Sequence, residues 1–168
     1  MTMRARHLAI TASLALIVGG CSLRPNKVME ANEVQTIAML RSIAFAQIAY
    51  SATCGSGGYA RTIKDLKTPP AGERSVLELP DSAKERADGS LEAYGYVIRI
   101  AAGLAAQPGP ADCNKALTSS GYYASAEPVT PGTTGSRSFA TSADGTVSEV
   151  AGARAPSEPF GAPAKPVQ

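Results

Sequence analysis

The chain has 168 residues, enough for one domain and tails, with 5 % aromatic residues, no Trp and 16 Gly, so any core is aliphatic and modest. Its formal charge is +2, but without Arg4 and Arg6 of the leader the sixteen basic residues become fourteen, equal to the fourteen acidic ones. A neutral chain without basic clusters gives no electrostatic case for nucleic acid, and one whose lone histidine is His7 argues against triad hydrolases and zinc enzymes.

Residues 1–20 carry Arg4, Arg6 and His7, then an apolar run from Leu8 to Val18, then Gly19-Gly20. The run is shorter than the roughly 20 residues of a permanent span and reads as a signal peptide. Val18-Gly19-Gly20-Cys21 resembles a bacterial lipobox, which makes Cys21 the expected lipidation site and new N-terminus. Each buried methylene of such an anchor contributes about 0.8 kcal/mol, and more than one chain is needed for stable attachment. Ser22 then favours the outer membrane, with the protein facing the periplasm.

Residues 21–30 are expected to be a lipidated tether and helix start, with Asn26 as N-cap, and residues 31–150 one α+β domain. Helix formers run to about Tyr50. Val34, Ile37, Ala38, Ala44, Phe45 and Ile48 are expected on the core side. Met39, Ile43 and Tyr50 form a narrower strip, taken as the possible contact surface. Gly55, Gly57 and Gly58 end the helix; they follow it and have no neighbouring Lys, so they do not form a phosphate loop.

A helical turn is expected at Ile63–Leu66 and a short helix from Asp81 to Ala87. Period-two patterning marks strands at 93–101, 122–126, 136–141 and 146–150, the last two flanking the Asp144-Gly145 turn. Residues 151–168, rich in Pro and Ala, are expected to be a flexible tail. The architecture implied is α+β: one long N-terminal helix on a small antiparallel sheet of about four strands.

With Cys21 assigned to lipid, Cys54 and Cys113 remain and are expected to form one disulfide in an exported protein. Closing a loop of about 60 residues is worth roughly 4 kcal/mol in the chain-entropy account. A redox pair would need a Cys-x-x-Cys spacing, which is absent. Asp65, Glu73, Glu78, Asp81 and Glu85 are scattered acids; a site built from two of them would make the chain a small-ligand-binding or carboxylate-based envelope enzyme. No residue set suggests a cofactor or metal.

Pro25-Asn26, Ala31-Asn32-Glu33-Val34, Leu40-Arg41-Ser42-Ile43, Ala46-Gln47, Tyr50-Ser51 and Cys54-Gly55 together resemble the second half of the N-terminal helix of bacterial type IV pilins and pseudopilins. Gly58-Tyr59-Ala60, Tyr94-Gly95-Tyr96, the run Tyr123 to Pro128, the run Pro131 to Phe139 and Asp144-Gly145-Thr146 extend the likeness over residues 25–150. The prepilin-peptidase site and apolar half-helix of those families have no counterpart, because a lipoprotein leader stands in their place. The resemblance implies a non-enzymatic, lipid-anchored pilin-like head. It would act by protein–protein contact with other pilin-like or secretion-system proteins, as an accessory of a type IV pilus or type II secretion system.

Overall fold

The computed structural model describes residues 25–168 apart from Pro69. The chain opens with a helix, α1 (Pro25–Thr53), followed by one short turn of helix, α2 (Ile63–Lys67). Nine strands follow: β1 (Lys84–Glu85), β2 (Leu91–Ala93), β3 (Tyr96–Ala102), β4 (Pro108–Ala111), β5 (Leu117–Ser119), β6 (Tyr122–Pro128), β7 (Arg137–Ser142), β8 (Ser148–Ala151) and β9 (Lys165–Pro166). Seven of them make one antiparallel sheet in the order β1-β2-β3-β6-β7-β8-β9, and β4 and β5 form a separate ribbon. The class is α+β, as expected, with a larger sheet. The four strands legible in the sequence correspond to β3, β6, β7 and β8, its central part.

Among the described residues α1 runs from Pro25, and proline is tolerated in the first turn of a helix, where its missing N–H needs no partner. Asn26 therefore lies inside the helix rather than capping it. The helix ends through bonds from Cys54 and Gly55 to the Tyr50 carbonyl and from Gly57 to that of Ser51. Ser56 and Gly57 then take positive φ. A side chain at Gly55 would collide with the Gly58 carbonyl at 2.3 Å and the Tyr50 ring at 2.8 Å, so the tight exit requires glycine.

α1 lies across one face of the sheet. From the helix, Ile37, Met39, Leu40, Ile43 and Tyr50 meet Tyr96, Ile98, Ala124, Ala126 and Phe139 from β3, β6 and β7 in a single core. Ala124 and Ala126 offer no bulk at the centre of that face, and the rings of Tyr96 and Phe139 fill the space with centroids 5.8 Å apart. Ile63 and Leu66 of α2, with Leu77 and Leu91, close one end.

Three local expectations are corrected. The segment 93–101 is not one strand: Tyr94 and Gly95 both have positive φ and form the hairpin turn between β2 and β3. A Cβ at Gly95 would stand 2.9 Å from Thr134 and 3.0 Å from the Asn32 amide, so glycine is needed for packing as well as for φ. The helix expected from Asp81 is also absent, since Lys84 and Glu85 pair with Glu92 and Leu91 as an edge strand.

The third correction concerns residues 151–168, which are packed rather than flexible. The Tyr123 hydroxyl donates to the Pro156 carbonyl at 2.6 Å, Glu127 accepts from the Ala155 N–H at 3.1 Å and Glu158 accepts from the Leu104 N–H at 2.6 Å. Phe160 stacks at 6.3 Å from Tyr123, and Lys165 and Pro166 add β9 to the edge of β8. The small residues Ser125, Ser138 and Ala140 are buried on strands that this segment helps to cover. Proline removed donors but did not remove order, because side chains and carbonyls supply the bonds.

Candidate contact surface

Two columns of residues run along α1 with alternating spacings of three and four. The inner one is Glu33, Thr36, Leu40, Ile43, Gln47, Tyr50 and, just past the helix, Cys54; every member is buried. The outer one is Lys27, Ala31, Val34, Ala38, Arg41, Phe45, Ile48 and Ala52; every member is exposed. Outer members follow inner ones alternately by one and by two residues, about 150° on average at 3.6 residues per turn, which places the columns on opposite sides of the helix.

The inner column contains three polar side chains, each fixed by chemistry or enclosed by packing. Glu33 Oε1 accepts from the Ser136 N–H and hydroxyl, both at 2.8 Å, and from the Arg137 N–H at 3.1 Å. Its Oε2 accepts from Arg137 Nε at 2.9 Å. Burial raises the Glu33 pKa, but the hydrogen bonds from the Ser136 backbone, the Arg137 side chain and the Ser136 hydroxyl, with the Arg137 charge, bring it below the usual carboxylate range. Arg137 continues to Glu149, which also meets Lys165 Nζ at 3.4 Å. Gln47 clamps Ala60, donating to its carbonyl at 2.9 Å and accepting from its N–H at 2.8 Å. Thr36 is enclosed with no partner for its hydroxyl among the described residues.

At the far end of α1, Cys54 and Cys113 form the disulfide, 59 positions apart in the chain, and the Cys113 N–H donates to the Cys54 carbonyl at 2.8 Å. Beside it the Tyr50 hydroxyl donates to Asp112 Oδ2 at 2.7 Å. Asp112 Oδ1 accepts from the N–H groups of Asn114 and Ala116, so one carboxylate orders the cysteine loop and holds the helix. Burial, then the Asp112 bond, pushes the Tyr50 phenol well above its ordinary pKa.

The strip taken as a contact surface is thereby corrected. Met39, Ile43 and Tyr50 are 5 %, 0 % and 1 % exposed and belong to the core. Val34, Phe45 and Ile48, expected in the core, are 62 %, 74 % and 60 % exposed. Hydropathy cannot phase a helix that is apolar on both sides. The side holding Glu33, Thr36 and Gln47 looks the more polar in the sequence, yet it is the one that faces the sheet. A usable signal was Cys54: a helix pinned by a disulfide to a strand loop turns the cysteine's column inward.

The outer face is also short of polar groups. Between Ala31 and Thr53 the only charged residues are Glu33, which is buried, and Arg41. Ser42 and Thr53 turn their hydroxyls back to the carbonyls of Ala38 and Ala49, at 3.1 and 2.8 Å, hiding part of what polarity remains. Solvent-facing helices ordinarily carry charge on the face away from the core.

Of the acids considered for chemistry, Asp65 caps α2 by accepting from the Thr62 N–H, and Glu85 pairs with Lys67. Glu73, Glu78 and Asp81 are exposed; Glu78 and Glu85 line one open groove beside Leu77, Leu79 and Leu91, where Glu85 is engaged by Lys67. No group of three or more His, Cys, Asp or Glu with metal-holding geometry occurs among the described residues, and none of the described helices is long and apolar enough to cross a membrane. Cys21 lies outside the described residues.

The fold and this face define a disulfide-pinned α+β domain presenting one uncovered apolar helix face. No known family model, curated protein or solved structure matches the chain.

Proposed function

We propose that the protein is an envelope-anchored lipoprotein whose pilin-like head works by protein–protein contact through the outer face of α1, as an accessory of a type IV pilus or type II secretion system. The observation that carries this reading is the outer column itself: Val34, Phe45 and Ile48 stand exposed along a helix face with one charge between Ala31 and Thr53. A face of that length and composition is a contact surface waiting for its occupant. The Cys54–Cys113 disulfide is in keeping with an oxidising compartment outside the cytoplasm. Acylated Cys21, four residues before Pro25, would hold the start of α1 close to a bilayer.

Intact-mass analysis of the mature protein extracted from membranes tests the anchor. The expected species begins at Cys21 and carries acyl chains. A mature chain with an unmodified Cys21, or one retaining residues 1–20, would remove the lipoprotein reading.

A further inference from the structure

We propose that residues 161–167 are a built-in cap that closes a strand-accepting edge of the sheet and keeps β8 from pairing with a second copy of the chain. The seven-stranded sheet ends on both sides in a strand of two residues, β1 and β9. β8, the neighbour of β9, has four residues, and Ser148 and Glu149 within it are buried. Left open, β8 would offer a row of unpaired N–H and C=O groups to the same edge of another molecule. Residues 161–167 occupy that row from within the chain. A turn closed by the Ala164 N–H on the Gly161 carbonyl at 2.9 Å leads into β9, where Lys165 faces Glu149 and Pro166 faces Ser148. The Val167 N–H then donates to the Val147 carbonyl at 2.9 Å, and the Val167 side chain packs against the core. Pro163 lines a cleft with Val150 and Ala151, the remaining half of β8.

The residue types in the cap are those that stop a sheet. Hydrogen-bonding pairs alternate with non-hydrogen-bonding ones along an antiparallel ladder, so the Val147–Val167 bond makes Ser148 and Pro166 a non-hydrogen-bonding pair. The Pro166 nitrogen therefore points away from β8. It costs the sheet no bond on the inner side, and on the outer side it withholds the N–H that a further strand would need. Lys165 adds a charge at the same edge, its side chain 74 % exposed and its Nζ 3.4 Å from Glu149. Three bonds root the cap on the domain: Tyr123 to Pro156, Ala155 to Glu127 and Leu104 to Glu158. The tether keeps 161–167 at a high effective concentration beside β8, which favours the chain's own strand over one from another molecule. Closure of this edge is independent of the contact role of α1.

Hydrogen exchange and sedimentation of the full chain over a concentration series test the cap. Lys165→Glu combined with Val167→Asp sets an acid opposite Glu149 and a charge against the core. The β8 amides are expected to lose protection in dilute solution and to regain it as the sedimenting mass grows beyond that of the parent chain. Lys165→Glu alone, at an exposed side chain, keeps the fold and is expected to give the same shift at higher concentration; it decides the matter if the double variant does not fold. Ser148→Cys with Pro166→Cys can lock the cap, because non-hydrogen-bonding partners have Cα atoms about 4.5 Å apart, within disulfide reach. In the double-variant background that lock is expected to restore both β8 protection and the parent mass. Loss of β8 protection without association would overturn the cap, as would β8 amides that stay protected in both variants. Association that survives the lock, or that brings protection to α1 in place of β8, would put the contact elsewhere and also overturn it.

Discussion

Glu33 and Arg137 join the first third of the helix to the start of β7, with Arg137 Nη2 2.8 Å from Glu33 Oε2 and the Arg137 backbone N–H reaching Oε1 of the same carboxylate. They are 104 positions apart in the chain, and the contact fastens the buried side of α1 to the sheet. With the Tyr50–Asp112 bond and the Cys54–Cys113 disulfide, this carboxylate ties one face of the helix to the rest of the fold.

Glu33→Ala is expected to destabilise the domain by about 3 kcal/mol, the usual cost of breaking a buried hydrogen-bonded charge pair. Glu33→Gln should cost less, because its amide oxygen still accepts from Ser136. Denaturant titration of the two variants checks the order; equal loss in both would mean the charge contributes nothing beyond shape.

The same carboxylate gives an acid limit. Its pKa is lowered in the folded chain, so its contribution is fully present above the unfolded value of about 4.3 and is lost as pH falls through the lower folded value. Melting temperature should fall below about pH 4.3, and Glu33→Gln should flatten that part of the profile. An unchanged slope in the variant would assign acid unfolding to other groups.

The alkaline side follows from the tyrosines. Burial raises the phenol pKa values of Tyr50, Tyr96 and Tyr123, and takes Tyr122 to about 12. Folded values above the unfolded value of about 10 mean that these groups stabilise the fold fully below pH 10 and progressively less as pH rises through the folded values. Ultraviolet titration should therefore show four of the six tyrosines resisting ionisation until the chain unfolds. Six phenols titrating together near pH 10 in the folded state would contradict the packing.

Thr36 offers a stabilising change. Its hydroxyl is buried and without a partner among the described residues, so Thr36→Val removes an unpaid desolvation at nearly constant shape. A gain of about 1 kcal/mol is expected, or about 3 °C in melting temperature for a domain of this size. A loss of stability would show that the hydroxyl is satisfied.

The parts legible in the sequence were those whose signals are local. Pro25, the glycines after Cys54, the Ile63–Leu66 turn and the Asp144-Gly145 hairpin each announce an element or its boundary through local chemistry. The rotation of α1 was not legible, because it is set by partners about a hundred residues away: Ser136 and Arg137 for Glu33, Asp112 for Tyr50. Nor was the order of residues 151–168, since proline and alanine say nothing of the Tyr123 hydroxyl or Glu127 that hold them. The pairing of Cys54 with Cys113 was legible by elimination, and it carried the information that would have turned the helix the right way.

The claim that the outer face of α1 is where this protein meets its partners is tested most directly by photo-crosslinking in the native envelope. A photoreactive residue is placed at Phe45 and, for comparison, at Leu117, another well-exposed apolar position, on β5. Protein adducts should form from position 45 and not from position 117. Adducts from 117 with none from 45 would contradict the account.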